Sequence, residues 1–82
     1  MIKMPKPLST IPKGSKVKVV DIAAGRGLQY RLMQMGLTPG TEVEVVENYR
    51  GPIVISVRGV LIALGKGMAD KVLVEEPTST SF

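Results

Sequence analysis

The sequence contains no cysteine, no histidine and no tryptophan. Without cysteine there is no disulfide to staple a small fold and no thiolate to ligate a metal or attack a substrate. Without histidine, the usual general base near neutral pH and the commonest transition-metal ligand are both missing. These absences argue against zinc fingers and against most enzyme classes. Aromatic residues make up only 4% of the chain, namely Tyr30, Tyr49 and Phe82. That is too few to line a proline-peptide groove, and it gives thin support to base-stacking on nucleic acid. No apolar run approaches the roughly 20 residues that a membrane span requires. The N-terminus has lysine and proline but no apolar stretch followed by a cleavage site, so a soluble, cytoplasmic protein is expected.

What is present fits one small domain. The chain has 82 residues, 44% apolar and 22% charged, which is ordinary globular usage with no room for a deep cleft or a second lobe. A binding or regulatory module remains. Eleven bases against seven acids give a net charge of +4. Residues 1–31 hold seven of the bases and one acid, Asp21, a net +6, whereas residues 32–82 come to −2. A basic half can attract nucleic acid or anionic lipid. The plainer reading, that lysines solvate an edge strand and a tail, is preferred.

Pro5, Pro7 and Pro12 interrupt pairing and suggest an N-terminal arm over residues 1–7, with Leu8 and Ile11 able to pin the chain to a core. The folded domain is expected over residues 8–76, followed by a polar, flexible tail over 77–82. Lys16–Ile22 alternates as a half-buried strand, with a parity break at Val19–Val20 that marks a bulge or a sharp bend. Gly25 and Gly27 read as a turn. From Leu28 the period becomes helical, with Leu28, Leu32 and Met35 forming one apolar stripe and Tyr30, Arg31 and Gln34 lying away from it. Gly36 is the expected left-handed stop, and Pro39 and Gly40 keep the helix from resuming.

Thr41–Val46, Ile53–Val57, Val60–Leu64 and Val72–Val74 then read as strands. Asn48–Pro52 and Arg58-Gly59 are the hairpin loops, and residues 65–71 contain one helical or 3₁₀ turn. Five short strands suit a small SH3-like barrel, mainly β, with an inserted α-helix between the first and second strands. Leu28, Leu32 and Met35 would plug its open end.

Three stretches rich in glycine resemble phosphate loops, and each lacks an essential part. Gly25-Arg-Gly27 places Tyr30 where a dinucleotide fingerprint needs a third glycine. Gly59 to Gly67 separates its glycines by five residues where a Walker loop has four, and puts Gly67 in place of the magnesium-binding hydroxyl. Gly65-Lys66-Gly67 alone is a flexible basic turn. For metals only carboxylates remain, chiefly Glu42, Glu44, Glu47, Asp70, Glu75 and Glu76, with no loop of alternating acids to gather the roughly six to eight oxygens a hard cation wants. No metal site, cofactor or catalytic residue is expected.

Arg31-Leu-Met-Gln-Met-Gly-Leu-Thr-Pro-Gly-Thr-Glu-Val-Glu-Val-Val46 resembles the signature of the FeoA family: a basic-and-leucine helix, then G-L-x-P-G-x-x-V-x-V. The matching residues are Arg31, Leu32, Gly36, Leu37, Pro39, Gly40, Val43 and Val45. The opening Leu8-Ser9 with Pro12 and Gly14, the Val57-Arg58-Gly59 turn and the closing strand from Val72 to Glu75 fit too, so the resemblance spans roughly residues 8–76. It implies an SH3-like barrel that serves, without being an enzyme, in cytoplasmic ferrous iron uptake. The implied partner is FeoB, a membrane permease with a cytoplasmic G domain. A similar barrel ends iron-dependent repressors of the diphtheria-toxin type, but no DNA-binding segment precedes this one, so a stand-alone FeoA is expected. The alternative is a small basic barrel binding RNA or a ribosomal partner; a detached metal-sensing domain comes third. The docking face is expected at Tyr30, Arg31 and Gln34 on the helix, beside Tyr49 and Arg50 on the neighbouring loop, because exposed Tyr and Arg dominate binding hot spots. The lysines of the first strand, Lys16 and Lys18, are the fallback.

Overall fold

The computed structural model describes residues 4–76, so the expected tail at 77–82 lies outside the described residues. The elements in chain order are β1 (Lys6–Pro7), a 3₁₀ turn (Leu8–Thr10), β2 (Lys16–Ile22), α1 (Arg26–Gln34), β3 (Glu42–Glu47), β4 (Ile53–Val57), β5 (Val60–Leu64), α2 (Lys66–Ala69) and β6 (Val72–Glu75). All strand pairings are antiparallel, in the order β1-β6-β2-β3-β4-β5. This is the expected SH3-like barrel with α1 inserted between its first two long strands.

Two features differ from the reading of the sequence. Among the described residues there are six strands, because Lys6 and Pro7 pair with Val74 and Leu73 of β6. A proline is admissible there because β1 is an outer strand, whose missing N–H leaves no interior ladder bond unmade. The ladder also does not join β1 to β5, so both remain edges.

Alternation explains the core. Val17 and Val19 of β2, Val43 and Val45 of β3, and Ile53 and Ile55 of β4 all point inward and are buried. The pairing of β2 with β6 shifts between Val19 and Asp21. That bulge lets Ile22, three residues after Val19, return to the core. Leu8 and Ile11 are buried as well and hold the N-terminal segment down.

Helix α1 starts at Arg26, two residues ahead of the Leu28 expectation. Gly25 is extended and caps the helix through its carbonyl, which accepts the first helical bond from the Gln29 N–H at 2.9 Å. Gly27 therefore lies in the first turn, not before it. At the other end Leu37 N–H donates to Leu32 O at 3.1 Å and Gly36 N–H to Met33 O at 2.9 Å, the paired bonds of a Schellman stop. Gly36 has φ +97°, and a Cβ there would stand 3.3 Å from Cγ1 of Val57.

This stop corrects the apolar stripe. Leu32 is fully buried, Leu28 is partly buried against the core, and Met35 is 38% exposed. Leu37 takes the inner place expected of Met35 and is fully buried. The left-handed turn at Gly36 ends the helix and carries the chain inward at Leu37.

Candidate interaction surfaces

Two contacts fix where α1 sits. Near its start, Gln29 Nε2 donates to Ile22 O at the end of β2, 3.4 Å away. Past its end, Gly36 lies against Val57 at the end of β4. Val57 leads into the Arg58-Gly59 turn, level with the start of β3, since Glu44 pairs with Ser56. The helix therefore covers the end of the barrel where β2 finishes and β3 begins. Tyr30, Arg31 and Gln34 are exposed on it, Tyr30 by 64%. Tyr30 lines a shallow hollow with Arg26, Gly27, Gln29 and Met33.

The Asn48–Pro52 loop follows the far end of β3, where Glu47 pairs with Val54. Six residues of strand, roughly 17 Å at 3.4 Å per step, separate the two ends. The five residues expected to form one face thus fall into two groups. Tyr30, Arg31 and Gln34 lie at the helix end; Tyr49 and Arg50 lie at the opposite end. Periodicity reports which side of a helix faces outward, but not which end of a barrel it covers.

At that opposite end Tyr49 is 76% exposed, and the Arg50 guanidinium carbon lies 5.3 Å from its ring centroid, within cation–π range. Asn48, read from sequence only as part of a loop, has a specific task. Its Nδ2 donates to Ser9 O at 3.1 Å and Ile11 O at 2.7 Å, while its Oδ1 accepts from Lys66 Nζ at 2.7 Å. It ties the hairpin to the N-terminal segment and to α2. Ser9 Oγ in turn donates to Asp70. An Asn opening a hairpin loop looks like ordinary turn chemistry, so no local signal distinguishes this role.

The charge asymmetry along the sequence does not survive folding. In the β2–β3 register Lys16 stands opposite Glu44 and Lys18 opposite Glu42, and Lys18 also faces Glu75 on β6. Lys13 lies 3.7 Å from Glu47, and Lys6 lies 4.0 Å from Glu76. These exposed pairs add little stability, yet they interleave acids of the second half with lysines of the first. The fallback surface at Lys16 and Lys18 is therefore a mixed-charge strand face, not a basic stripe. Among the described residues no group of three or more acids is placed to hold a metal ion.

Strand β5 forms a third surface that the sequence concealed. Val60, Leu61, Ile62, Ala63 and Leu64 read as a continuously apolar strand, the pattern of one buried on both faces. Only Leu64 is buried, and Val60 and Leu61 are 60% and 65% exposed. Among the described residues, β5 has β4 on one side and no strand on the other.

The family model described as the FeoA domain matches residues 6–76. This chain belongs to the FeoA family. A curated protein of Methanocaldococcus jannaschii, named "Putative Fe(2+) transport protein A", is 41% identical over 70 residues, 85% of each chain. A crystal structure named iron uptake regulatory protein (FeoA) is 46% identical, with a TM-score of 0.83, and the match covers 88% of this chain and 97% of that one. The IdeR of T. acidophilum also reaches a TM-score of 0.83, at 15% identity over 94% of this chain and 36% of that chain. It shares the FeoA-like fold alone. Among the described residues no helix of this FeoA-family chain is long and apolar enough to cross a membrane.

Proposed function

We propose that this FeoA-family protein is a non-enzymatic cytoplasmic component of ferrous iron transport that acts by docking onto the cytoplasmic part of a FeoB-type membrane GTPase and permease. Family membership over residues 6–76 is the observation that carries this reading. The distribution of side chains agrees with it. Tyr30 and Tyr49, each beside an arginine, protrude into solvent, as hot-spot residues do before a partner covers them. The RNA-binding alternative loses support from the cross-strand pairing of Lys16 and Lys18 with Glu44 and Glu42.

The test is calorimetric titration of the protein with the cytoplasmic G domain of FeoB. Binding is expected for the wild type. Because Arg31 and Arg50 lie at opposite ends, Arg31→Ala and Arg50→Ala are measured separately, and the variant on the docking end should bind about tenfold more weakly, a loss of about 1.4 kcal/mol. Circular dichroism should show both variants folded, since exposed substitutions usually change stability by less than about 0.5 kcal/mol. Wild-type affinity in both would remove these side chains from the interface, and absence of binding by the wild type would refute the partnership. GTP hydrolysis that tracks with the purified chain would refute the non-enzymatic reading.

A further inference from the structure

The two edges of the sheet are treated differently. The β1 edge is two residues long and consists of Lys6 and Pro7, a charge and a missing N–H, both of which discourage a further strand. The β5 edge is five residues long, with neither charge nor proline. Natural proteins seldom leave such an edge bare unless something pairs with it.

The register shows which backbone groups are free. Arg58 and Gly59, with φ +53° and +83°, form the two-residue connection of a tight hairpin, and Val57 opposite Val60 is its closing hydrogen-bonded pair. Alternation from that pair makes Ile55–Ile62 and Ile53–Leu64 the next bonded pairs. The N–H and C=O groups of Val60, Ile62 and Leu64 are thus turned to β4. Those of Leu61 and Ala63 are turned to the free edge. Beside this edge stand exposed apolar side chains at Val60 and Leu61. Arg58 precedes it and Lys66 follows it, with Arg50 on the loop before Ile53, which pairs with Leu64.

We infer that the free edge of β5 is a docking site for an extended segment of a partner protein that adds one antiparallel strand, with apolar residues at its centre and acidic residues at its ends. Four unpaired backbone groups in line call for an extended peptide and not for a helix or a nucleic acid. The basic flanks call for acidic ends on the incoming strand. A second copy of this chain fits poorly. The antiparallel register that overlaps all of β5 with its copy sets Arg58 opposite the copy's Lys66 at both ends, and like charges directly opposite are destabilising. The inference deepens the docking reading above but does not depend on FeoB being the protein that supplies the strand.

The experiment titrates the isotope-labelled full chain with a synthetic peptide of alternating valine and threonine carrying glutamates at both ends, and with the same peptide carrying lysines instead. The glutamate peptide should bind, protect the Leu61 and Ala63 amides from hydrogen exchange, and bind about tenfold more tightly than the lysine peptide. Ala63→Pro removes an outward N–H and leaves the β4 ladder bonds in place, so it should weaken binding about fivefold to tenfold. Leu61→Glu, which keeps the backbone intact, should weaken it similarly. No binding, protection elsewhere on the barrel, indifference to both variants, or dimerisation of the free protein through β5 in sedimentation would each overturn the inference. Binding to the FeoB G domain distinguishes the two readings. If that domain binds wild type and Ala63→Pro equally while the glutamate peptide does not bind, the partnership stands and the edge falls; if the peptide binds and the domain does not, the edge stands and the partnership falls.

Discussion

Replacing Leu32 by alanine tests how α1 is held to the barrel, and Met35→Ala is its control. Leu32 is the only fully buried side chain of the helix, and Leu28 beside it is only partly buried. Its removal loses the transfer free energy of the side chain and leaves a cavity under a short helix. Leu→Ala changes at such sites cost about 3–5 kcal/mol. An 82-residue domain has a total stability of roughly 4–12 kcal/mol, so the loss is a large share. At about 4–8 °C per kcal/mol for a domain of this size, the melting temperature should fall by at least 12 °C. Met35 lies in the same helical stripe by spacing but is 38% exposed, and Met35→Ala should cost less than about 1 kcal/mol. The assay is urea unfolding followed by far-ultraviolet circular dichroism, with heat unfolding as a second measure. Equal losses for the two variants, or a loss below about 1 kcal/mol for Leu32→Ala, would refute the packing described for α1.

Gly36→Ala forces a Cβ into a φ of +97° and to within 3.3 Å of Val57 Cγ1. It should cost about 1–2 kcal/mol, and an unchanged urea midpoint would show that the helix does not end in the left-handed turn at Gly36. Asn48→Ala leaves Ser9 O and Ile11 O without their side-chain donor and Lys66 Nζ without its acceptor. A loss of about 1–3 kcal/mol is expected, with faster hydrogen exchange in residues 8–11; equal exchange in wild type and variant would mean that Asn48 does not hold that segment.

Much of the architecture is written in short-range patterns. Period-two alternation in Lys16–Ile22 and Thr41–Val46, the Gly36-Leu-Thr-Pro-Gly40 joint and the Arg58-Gly59 turn place the main strands and α1 within about two residues. These features are local, because alternation follows from the pleat and turn residues from backbone sterics. Where reading failed, a local rule met a distant partner. Pro7 is an admissible strand residue only because it falls at an edge beside β6. Met35 keeps the stripe spacing yet is 38% exposed, whereas Leu37, beyond the turn at Gly36, fills the core among residues far away in sequence.

The sequence by itself determined the class of chemistry this protein can perform. With no histidine and no cysteine, neither the commonest proton shuttle nor a thiolate ligand exists in any conformation of the chain, so that limit needs no coordinates. Its turn and strand signals likewise determined the barrel and the family resemblance. Only the tertiary structure decided which side chains share an exposed surface. Pairing set Lys16 and Lys18 against Glu44 and Glu42 and so cancelled a basic half that was real along the chain. Strand order left β5, apolar enough for a core, at an open edge. It also set Tyr30 and Tyr49 at opposite ends of β3. Charge balance, edge exposure and adjacency depend on which segments, far apart along the chain, are neighbours in space, and one sequence read along its length carries only local neighbours.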